Sequence, residues 1–318
     1  MSGPSLVVFA PSPLLTITVE APGTDHEEIH LHAGGQGFWV ARMAALLGGD
    51  VALCCALGGE SGAVLRGLIA KENVQLLAVE CAVPNGVYIH SRHHGVREQL
   101  ARTSCRGLTR HEADELYGVA LAASLDARIA MLTGVDPPGI IEADVYRRLA
   151  GDLRSNGIRV IGDLAGAPLE AALAGGLDVL KVSDEELGGI GIAPGADIPQ
   201  LVGALRRLRT LGADAVLISR GELPAVAIDG TAPRYLRLSG PHVRAVEPKG
   251  TGDSMFAALG VSLAAGRELD DGLRLAVAAG CLNATRHGLG TGSRQEIEQL
   301  SRHVEIAELA PSELSAQP

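Results

Sequence analysis

Residues 37–73 read GFWVARMAALLGGDVALCCALGGESGAVLRGLIAKEN, and this stretch decides the fold class. Two helical patterns flank an uninterrupted apolar run, DVALCCALGG, which begins at Asp50. Such a run between turn signals is typical of a strand buried on both faces, and strands of this kind occur in parallel sheets that are covered by helices. The stretch therefore predicts an α/β protein.

The same alternation continues on both sides of this stretch. Further apolar runs that fit buried strands are SLVVFA, ARIAMLTG, IRVIGDL, LDVLKV and DAVLIS, and each is followed by a helical pattern or a turn. The last third is helical, with GDSMFAALGVSLAAG, LDDGLRLAVAAGCLNATRHG and SRQEIEQLSRH in succession. Strands that alternate with helices predict a mainly parallel central sheet covered on both faces. We expect one domain that spans residues 1–318.

Two polar segments interrupt this pattern, LLTITVEAPGTDHEEIHLH and NGVYIHSRHHGVREQLART. Their alternating polar and apolar residues predict hairpin strands with one exposed face, which are not buried parallel strands. We expect hairpins at about residues 13–33 and 84–106 to pair into a small sheet that covers a cleft as a lid. The alternative is a pair of surface hairpins without a role.

Composition excludes several classes of function. The 318 residues are 47% hydrophobic and 20% charged, as in an ordinary globular protein, and the net charge of −10 with no Lys/Arg-rich run disfavours nucleic acid as a partner. No apolar stretch reaches the roughly 18 residues of a membrane span. The five cysteines lack C-x-x-C spacing and predict neither a disulfide framework nor a zinc site. We expect a cytoplasmic protein, with Cys54 and Cys55 in a strand core.

The segment KGTGDS, at residues 249–254, precedes a helix with an apolar stripe. Its glycines leave the amides of Gly250, Thr251 and Gly252 available at a helix N-terminus, which predicts an anion site. Asp253 beside them is placed to act as a base for a hydroxyl, and positioned bases contribute about 10²- to 10⁴-fold to rate. The alternative is an N-capping aspartate after a glycine turn, and these residues alone do not decide between the two.

A second glycine turn, in HAGGQGFWVAR, opens a helix directly after the first hairpin. Gly34, Gly35 and Gln36 could bind a polar ligand under the lid, or the turn could be a tight turn with a glycine where strand and helix pack. Neither glycine segment matches the Walker pattern or a complete G-x-G-x-x-G, which disfavours P-loop and nicotinamide enzymes.

The order of these motifs resembles the ribokinase-like (PfkB) carbohydrate kinases over nearly the whole chain, and most closely the 1-phosphofructokinase and tagatose-6-phosphate kinase branch. The resemblance rests on GGQGFWVARMAALLGGDVALCCALGG, LTGVDPPG, KVSDEEL, LISRGELPAV and KGTGDSMFAAL in this order. It implies a three-layer ribokinase-like fold with a small β lid and a homodimer joined through the lid. It also implies ATP-dependent transfer of a phosphoryl group to a hydroxyl of a small sugar-like substrate.

The resemblance also implies roles for individual residues. Asp253 would be the base, with Gly250, Thr251 and Gly252 as the anion hole. Glu186 would hold Mg²⁺ through water, although Ser183-x-x-Glu186 also fits a helix capping box. Residues implied at the nucleotide are Lys181, Ser183, Glu186, Ser219, Gly221 and Asn283. Residues implied at the acceptor are Thr16, Gly34, Gly35, Gln36, Trp39, Arg92 and Arg102.

The chain departs from the family mainly on the acceptor side. Thr16 replaces a sugar-binding aspartate, Gln36 replaces a lysine, and Trp39 replaces an asparagine. Val83 and Pro84 stand near the place of a Thr-Arg pair on the lid. Two basic contacts to a substrate phosphate are therefore missing, which predicts preference for an unphosphorylated acceptor unless Arg92, Arg97 or Arg102 compensates. On the nucleotide side, Ser183 replaces an asparagine and Pro224 a glycine.

Two other functions remain open from the sequence. A ligand-binding or regulatory protein that lost efficient turnover fits the changes at Thr16, Trp39 and Ser183, but the retained Asp253 argues against it. A nucleoside or vitamin kinase of the same fold would use Trp39 to stack on a ring. A metal site built from His30, His32, His90, His93 and His94 lacks cysteines or carboxylates to complete it, so we interpret these histidines as lid residues or ligand hydrogen bonders.

Overall fold

The computed structural model describes residues 4–20, 27–93, 96–103, 106–191, 195–230 and 233–314. The strands are β1 (Leu6–Phe9), β2 (Leu14–Glu20), β3 (Glu28–Gly34), β4 (Val51–Gly58), β5 (Gln75–Cys81), β6 (Val87–His93), β7 (Val96–Arg102), β8 (Ile129–Thr133), β9 (Arg159–Asp163), β10 (Leu177–Ser183), β11 (Ala213–Arg220), β12 (Leu223–Ile228), β13 (Tyr235–Ser239) and β14 (Glu305–Glu308). The helices are α1 (Gln36–Leu46), α2 (Gly59–Ile69), α3 (Arg110–Leu125), α4 (Asp144–Ser155), α5 (Gly166–Gly175), α6 (Ile198–Leu211), α7 (Thr251–Ala264), α8 (Leu269–Ala284) and α9 (Arg294–Ser301).

A ten-stranded sheet forms the centre of the molecule, in the order β14-β13-β12-β11-β10-β9-β8-β1-β4-β5. All neighbours from β5 to β11 are parallel, which confirms the predicted mainly parallel sheet. The strands β12, β13 and β14 extend it as antiparallel partners. This antiparallel edge was not predicted, and it begins where Gly221, at a φ of 57°, lets the chain turn back after β11.

Two apolar cores lie on opposite faces of this sheet. One contains buried side chains of α1, α7 and α8, and the other contains those of α3, α4, α5 and α6. Cys54 and Cys55 point into different cores because successive strand residues face opposite sides, and both are fully buried, as expected. No helix in the described parts of the chain has the length and apolar character that crossing a bilayer requires.

The two predicted hairpins form a second, four-stranded sheet in the order β3-β2-β6-β7. Each hairpin is antiparallel, and the parallel pair β2–β6 joins them. Asn85 ties the root of this lid to the core: its Nδ2 donates to the carbonyl oxygens of Ala56 at 3.0 Å and Pro13 at 3.1 Å. Its Oδ1 accepts from the Gly58 amide at 2.9 Å. The predicted small β lid is therefore present.

Helix α7 packs against β1, β8, β9 and β10 in the middle of the central sheet. It begins after Gly250, which has a φ of 77°, a backbone conformation that suits glycine. The predicted apolar stripe of Phe256, Leu259 and Leu263 is buried. Gly266, with a φ of 75°, lies just beyond the C-terminal end. Because α7 is buried along most of its length, the position of its first turn is fixed by the core.

Candidate active site

Asp253 lies in the first turn of α7, beside a cavity of about 420 Å³ beneath the lid, which we call the lid cavity. The N-cap of α7 is Gly250 and no side chain caps the helix, so Asp253 is not an N-capping residue. The cavity opens at the carboxyl ends of the parallel strands, where α/β folds bind ligands. Residues predicted for the acceptor or the metal that line it with Asp253 are Thr16, Gly35, Gln36, Trp39, Arg102 and Glu186.

The backbone before Asp253 supplies part of the predicted anion hole. The amide of Thr251 donates to the Pro248 carbonyl oxygen at 3.3 Å, and its hydroxyl donates to the same oxygen at 2.7 Å. The amides of Gly252 and Asp253 have no acceptor within the helix, as at any helix N-terminus. These two amides are therefore the donors that an anion would meet, whereas the Thr251 amide already has a partner.

A buried ion pair lies beneath this turn. The Lys181 ammonium is 3.1 Å from both carboxylate oxygens of Asp163, and the two residues are 4% and 1% exposed. A Cβ added to Gly252 would lie 2.4 Å from Lys181 Nζ, so the ammonium packs against the backbone of the anion hole. Burial alone would lower the pKa of Lys181, but the carboxylates of Asp163, Glu186 and Asp253 outweigh it and raise that pKa. The lysine is therefore charged.

The carboxyl group of Asp253 titrates near neutrality. Burial raises the pKa of Asp253 to about 7; the nearby Asp163 carboxylate adds to this shift and the Lys181 ammonium opposes it. General bases work best when their pKa lies near the operating pH. Asp253 therefore has the acidity that proton transfer from a hydroxyl requires.

Gln36 bridges two strand ends through its side-chain amide. Its Oε1 accepts from the Gly134 amide at 2.8 Å, and its Nε2 donates to the Asp163 carbonyl oxygen at 3.2 Å. Gln36 thereby joins the residue that follows β8 to the last residue of β9, and it lines the lid cavity from this position. Its amide carries no charge.

The second glycine turn packs tightly, and part of it lies at the wall of the lid cavity. Gly35 has a φ of 94° and precedes α1 at the wall of the lid cavity. A Cβ on Gly37 would lie 2.2 Å from the Ala10 Cβ, so this glycine permits close packing of helix on strand. A Cβ on Gly34 would lie 2.5 Å from Thr16 Oγ1, which keeps the Thr16 hydroxyl next to the turn.

The predicted arginines of the acceptor site have carboxylate partners. Arg92 is 3.1 Å from Glu20 and 3.2 Å from Glu247, and it is not among the described residues that line the lid cavity. Arg102 lines the cavity and pairs with Asp136, which lines it too. The side chain of Arg97 lies outside the described residues.

The residues predicted for the nucleotide lie in or just after β10 and β11, and in α8. Ser183 and Ser219 are register partners at the ends of β10 and β11, and Gly221 follows in the turn to β12. Asn283 is fully buried; its Nδ2 donates to the Lys249 carbonyl oxygen at 2.9 Å, and its Oδ1 has no partner. The contact that Asn283 makes in this structure is therefore with the segment that leads into the anion hole.

Glu186 forms the capping contacts that the sequence allows. The amide and the hydroxyl of Ser183 both donate to Glu186 Oε2 at 2.8 Å. Within the described ranges no group of three or more His, Cys, Asp or Glu could hold a metal ion. Mg²⁺ needs no such group, because it commonly binds through one or two carboxylates, water and substrate phosphates. Glu186, at the cavity wall, fits that mode.

The lid histidines make contacts of their own. His30 is 3.3 Å from a Glu28 carboxylate oxygen and stacks on His32, with ring centroids 6.1 Å apart. His90 is 1% exposed and lies 3.1 Å from Thr18 Oγ1. The His93 side chain and His94 lie outside the described residues.

A larger cavity of about 630 Å³ adjoins the lid cavity. Its wall is mainly apolar and includes Phe38, Ile141 and Leu164. Asp163, which the sequence analysis did not identify, lies at its floor. The only sequence signal for Asp163 was an aspartate at the end of the apolar run IRVIGDL. Five residues line both cavities: Leu14, Gly35, Gln36, Asp136 and Glu186.

Comparisons with known proteins agree with this architecture. A sequence model described as pfkB family carbohydrate kinase matches residues 15–296. The ATP-dependent 6-phosphofructokinase isozyme 2 of Escherichia coli is 28% identical over 84% of this chain and 86% of its own length. The tagatose-6-phosphate kinase of Staphylococcus epidermidis is 23% identical over 87% and 89%.

Solved structures show the same fold. The E. coli phosphofructokinase-2 in complex with potassium superposes with a TM-score of 0.84 at 25% identity, covering 95% of this chain and 99% of that one. Arabidopsis thaliana ribokinase complexed with ribose and ATP superposes with a TM-score of 0.74 at 21% identity, covering 94% and 99%. The predicted ribokinase-like fold is confirmed.

Proposed function

The chain belongs to the PfkB family of carbohydrate kinases, and we propose that its acceptor is an uncharged, polyhydroxylated, sugar-like molecule bound beneath the lid. Membership of this family implies ATP as the phosphoryl donor and a sugar hydroxyl as the acceptor group.

The observation that carries the proposal is the environment of Gln36. The relatives named above are a 6-phosphofructokinase and a tagatose-6-phosphate kinase, whose names specify phosphorylated sugars. The phosphosugar branch that the sequence resembles has a lysine in the glycine turn. Here the neutral amide of Gln36 is bound at both ends by the backbone at Gly134 and Asp163. It has no positive charge to offer a substrate phosphate.

The other charges in the lid cavity support the same acceptor. Among its described lining residues, the cations are Arg102 and Lys249, and the carboxyl groups are those of Asp136, Glu186 and Asp253. Arg102 pairs with Asp136, and the Lys249 ammonium lies 5.7 Å from the centre of the Tyr88 ring. Hydrogen bonds to a charged group are worth about 1.5–3 kcal/mol each. A cavity without excess positive charge favours an uncharged ligand over a phosphosugar.

Val83 and Pro84 lie at the turn that precedes α2. They pack against the turn between β4 and α2, where a Cβ on Gly58 would lie 2.3 Å from the Val83 carbonyl oxygen. Neither residue is among the described residues that line the lid cavity. The predicted preference for an unphosphorylated acceptor is therefore supported by the position of Gln36 but not by that of Val83 and Pro84.

The proposed reaction places Asp253 as the general base. Its carboxylate accepts the proton of the acceptor hydroxyl, the new oxygen–phosphorus bond forms, and the bond from the γ-phosphorus to the bridging oxygen of ADP breaks. The amides of Gly252 and Asp253 donate to the transferred group, and the Lys181 ammonium beneath them adds positive charge. Glu186 would hold Mg²⁺ through water, and that ion neutralises phosphate charge when bound.

Trp39 indicates the shape of the acceptor. Its side chain lines the lid cavity between the glycine turn and the lid strands. An indole offers a flat apolar surface, which suits the face of a sugar ring or an aromatic base. A nucleoside is therefore the second candidate acceptor. The raised pKa of Asp253 supports an enzyme over a purely ligand-binding protein, because groups with perturbed pKa values cluster at catalytic sites.

The test is ATP consumption with a panel of free sugars, nucleosides, fructose 1-phosphate, fructose 6-phosphate and tagatose 6-phosphate. We expect an unphosphorylated member to have the highest kcat/KM, by at least about tenfold over the phosphosugars, which corresponds to one lost charged contact. A phosphosugar that exceeded all others by the same factor would contradict the acceptor assignment. No turnover with any member would favour the ligand-binding alternative.

We also propose a homodimer formed through the lid. Three apolar residues are exposed on the outer face of the lid. Ile29 is 63% exposed and Leu31 is 44% exposed, and Leu100 on the neighbouring hairpin is 55% exposed. Exposed apolar side chains on a sheet commonly mark an interface. The E. coli relative is described in a tetrameric inhibited form, so oligomers occur in the family. We propose the cytoplasm as the compartment, in keeping with free thiols at Cys54 and Cys55.

A further inference from the structure

The lid meets the body of the protein at a second place besides its root. The side chains of Tyr88 and Arg92 lie on one face of β6, because they are four residues apart in a strand. Both contact residues 246–249, which we call the approach segment because it leads into α7. Arg92 Nη2 donates to Glu247 Oε2 at 3.2 Å, and the Lys249 ammonium lies 5.7 Å from the centre of the Tyr88 ring. The approach segment therefore lies against the lid.

Arg92 has one carboxylate partner inside the lid and one outside it. Glu20, its register partner in β2, accepts from Arg92 Nη1 at 3.1 Å. The side chain of Arg92 is 22% exposed and that of Glu247 is 15% exposed, so water screens their attraction only in part. Glu20 is part of the lid, whereas Glu247 belongs to the body of the protein. Of these two ion pairs, only the one with Glu247 depends on the position of the lid.

The approach segment is attached to the C-terminal end of α8. The amides of Val246 and Glu247 both donate to the Ala284 carbonyl oxygen, at 2.7 and 3.1 Å. The buried Asn283 donates through Nδ2 to the Lys249 carbonyl oxygen at 2.9 Å. The backbone of Glu247 is thus held by the body of the protein, while its side chain contacts the lid.

The same segment is bonded to the first turn of α7. The Pro248 carbonyl oxygen accepts from the amide and the hydroxyl of Thr251, at 3.3 and 2.7 Å. Gly252 and Asp253, which the proposed reaction uses, follow Thr251 directly. Direct contacts therefore connect the lid strand β6, through Glu247 and Pro248, to the anion hole and the base.

The two sides of this contact hold different parts of the reaction. Thr16 and Tyr88 of the lid and Asp253 of α7 all line the lid cavity. An acceptor beneath the lid is placed by the lid, while the base that removes its proton is placed by α7. Reacting groups must lie about 3–3.5 Å apart, and a misplacement of about 1 Å can lower a rate about 100-fold. The rate therefore depends on how the lid sits relative to α7.

We propose that Glu247 is a positioning residue: through its ion pair with Arg92 it fixes the lid relative to the first turn of α7, and so places the acceptor hydroxyl against Asp253. This inference rests on the proposed function for the acceptor beneath the lid and for the base. It assigns to Arg92 a contact with the protein in place of the predicted contact with the acceptor. The alternative is an ion pair that contributes to stability alone.

The first experiment compares Glu247→Gln with Glu20→Gln, since each removes one carboxylate partner of Arg92 and keeps the size of the side chain. Steady-state kinetics vary ATP and the acceptor of the panel above that has the highest kcat/KM. We expect Glu247→Gln to lower kcat/KM for the acceptor by about tenfold or more, with an unchanged KM for ATP. Glu20→Gln should stay within about twofold of the wild type, because a partly exposed ion pair within the lid contributes little. Equal losses in the two variants would overturn the proposal, as would wild-type kinetics in Glu247→Gln.

A double variant separates positioning from direct binding of the acceptor by Arg92. An arginine that acts only through Glu247 predicts that Arg92→Gln with Glu247→Gln loses no more activity than Arg92→Gln alone. Arg92→Lys should keep more activity than Arg92→Gln, because it keeps a cation near Glu247. Multiplied losses in the double variant would overturn the proposal and favour a contact between Arg92 and the acceptor.

The fluorescence of Trp39 tests the lid without turnover. It is the only tryptophan of the chain, and it lines the lid cavity. In the protein without ligand, acrylamide should quench this fluorescence more strongly in Glu247→Gln than in the wild type, and equally in Glu20→Gln and the wild type. An unchanged quenching constant in Glu247→Gln would overturn the proposal, since an ion pair that contributes to stability alone predicts that result. A panel without any accepted substrate would contradict the proposed function and would leave this measurement intact, so the two failures are distinguishable.

Discussion

The ammonium group of Lys181 lies directly beneath the backbone of Gly252, at a place where even a methyl group on the glycine would come within 2.4 Å of it. The amides that face the lid cavity thus have a buried cation behind them, and Asp163 balances its charge from within the protein. Electrostatic stabilisation of a transferred phosphoryl group benefits from such fixed charges, because they need not reorganise during the reaction. The first turn of α7 therefore has a buried cation behind its amides, in addition to the exposed Lys249 that precedes the helix.

Asp253→Asn should reduce turnover by about 100-fold or more while leaving the fold intact, because the amide keeps the shape but lacks a basic carboxylate. Single-turnover rates with the best acceptor and saturating ATP measure this loss. Retention of more than about a tenth of the wild-type rate would show that another group accepts the proton.

The rate should depend on pH through Asp253. Because its pKa is raised to about 7, kcat/KM should rise about tenfold per pH unit below pH 7 and level off above it. A profile measured between pH 5.5 and 9 tests this. A flat profile below pH 7 would mean that the carboxyl group ionises at its ordinary pKa or is not the base.

The pH dependence of thermal stability provides an independent test of the Asp253 pKa. The folded-state pKa of Asp253 lies above its ordinary value of 3.8, so ionisation of this carboxyl group is harder in the folded protein than in the unfolded chain. Relative to Asp253→Asn, the wild type should lose stability as pH rises from about 4 to about 7, with no further change above pH 7. An equal melting temperature difference at pH 4 and pH 8 would contradict the shifted pKa.

Lys181→Met should abolish most activity and destabilise the protein, because it leaves Asp163 buried without a cation, at a cost of about 3–5 kcal/mol. The double variant Lys181→Met with Asp163→Asn removes both charges. We expect it to recover much of the stability in urea unfolding but little of the turnover. Recovery of both would show that the ion pair has only a structural role.

Gln36→Lys should shift acceptor preference toward phosphosugars. A new charged contact worth about 1.5–3 kcal/mol corresponds to about a 10- to 100-fold gain in the ratio of kcat/KM for fructose 6-phosphate over the best free sugar. Gln36→Met is the matched control, since it removes the bonds to Gly134 and Asp163 without adding charge. An equal change in both variants would mean that only the loss of the bridge matters.

Leu31→Glu should convert the proposed dimer to a monomer, since it places a charge in the apolar outer face of the lid. Sedimentation velocity at micromolar concentration measures the change. Leu211→Glu is the control, because Leu211 is also 44% exposed but lies at the end of α6, away from the lid. A wild-type protein that sediments only as a monomer would contradict the dimer.

The sequence predicted those parts of the fold that have a strong local signal. The strands β1, β4, β8, β9, β10 and β11 are short apolar runs between turns, and burial on both faces makes such runs easy to identify. The edge strand β5 is only partly buried and was not predicted. β14 has the sequence EIAE and is largely exposed, so it has no apolar pattern. Its place in the sheet depends on pairing with β13, which no local pattern specifies.

The residues of the candidate site also differ in how far the sequence alone could predict them. Asp253 and the glycines before it form a contiguous motif, so sequence alone identified them. The role of Gln36 depends on a hydrogen bond to Asp163, 127 residues away in the chain. Asp163 itself became apparent only through its ion pair with Lys181. Contacts between distant strand ends exist only after the sheet has formed.

The charge balance of the lid cavity also bears on how the enzyme finishes its cycle. An acceptor that enters uncharged leaves with a new phosphate group, which carries nearly two negative charges. That group forms against the amides of Gly252 and Asp253. Once Asp253 has released the proton that it accepted, the carboxylates of Glu186 and Asp253 both face the new phosphate group, in a cavity where Arg102 is already paired with Asp136. Repulsion therefore weakens the hold on the product relative to the substrate, and the phosphorylated product should be a poor inhibitor of its own synthesis.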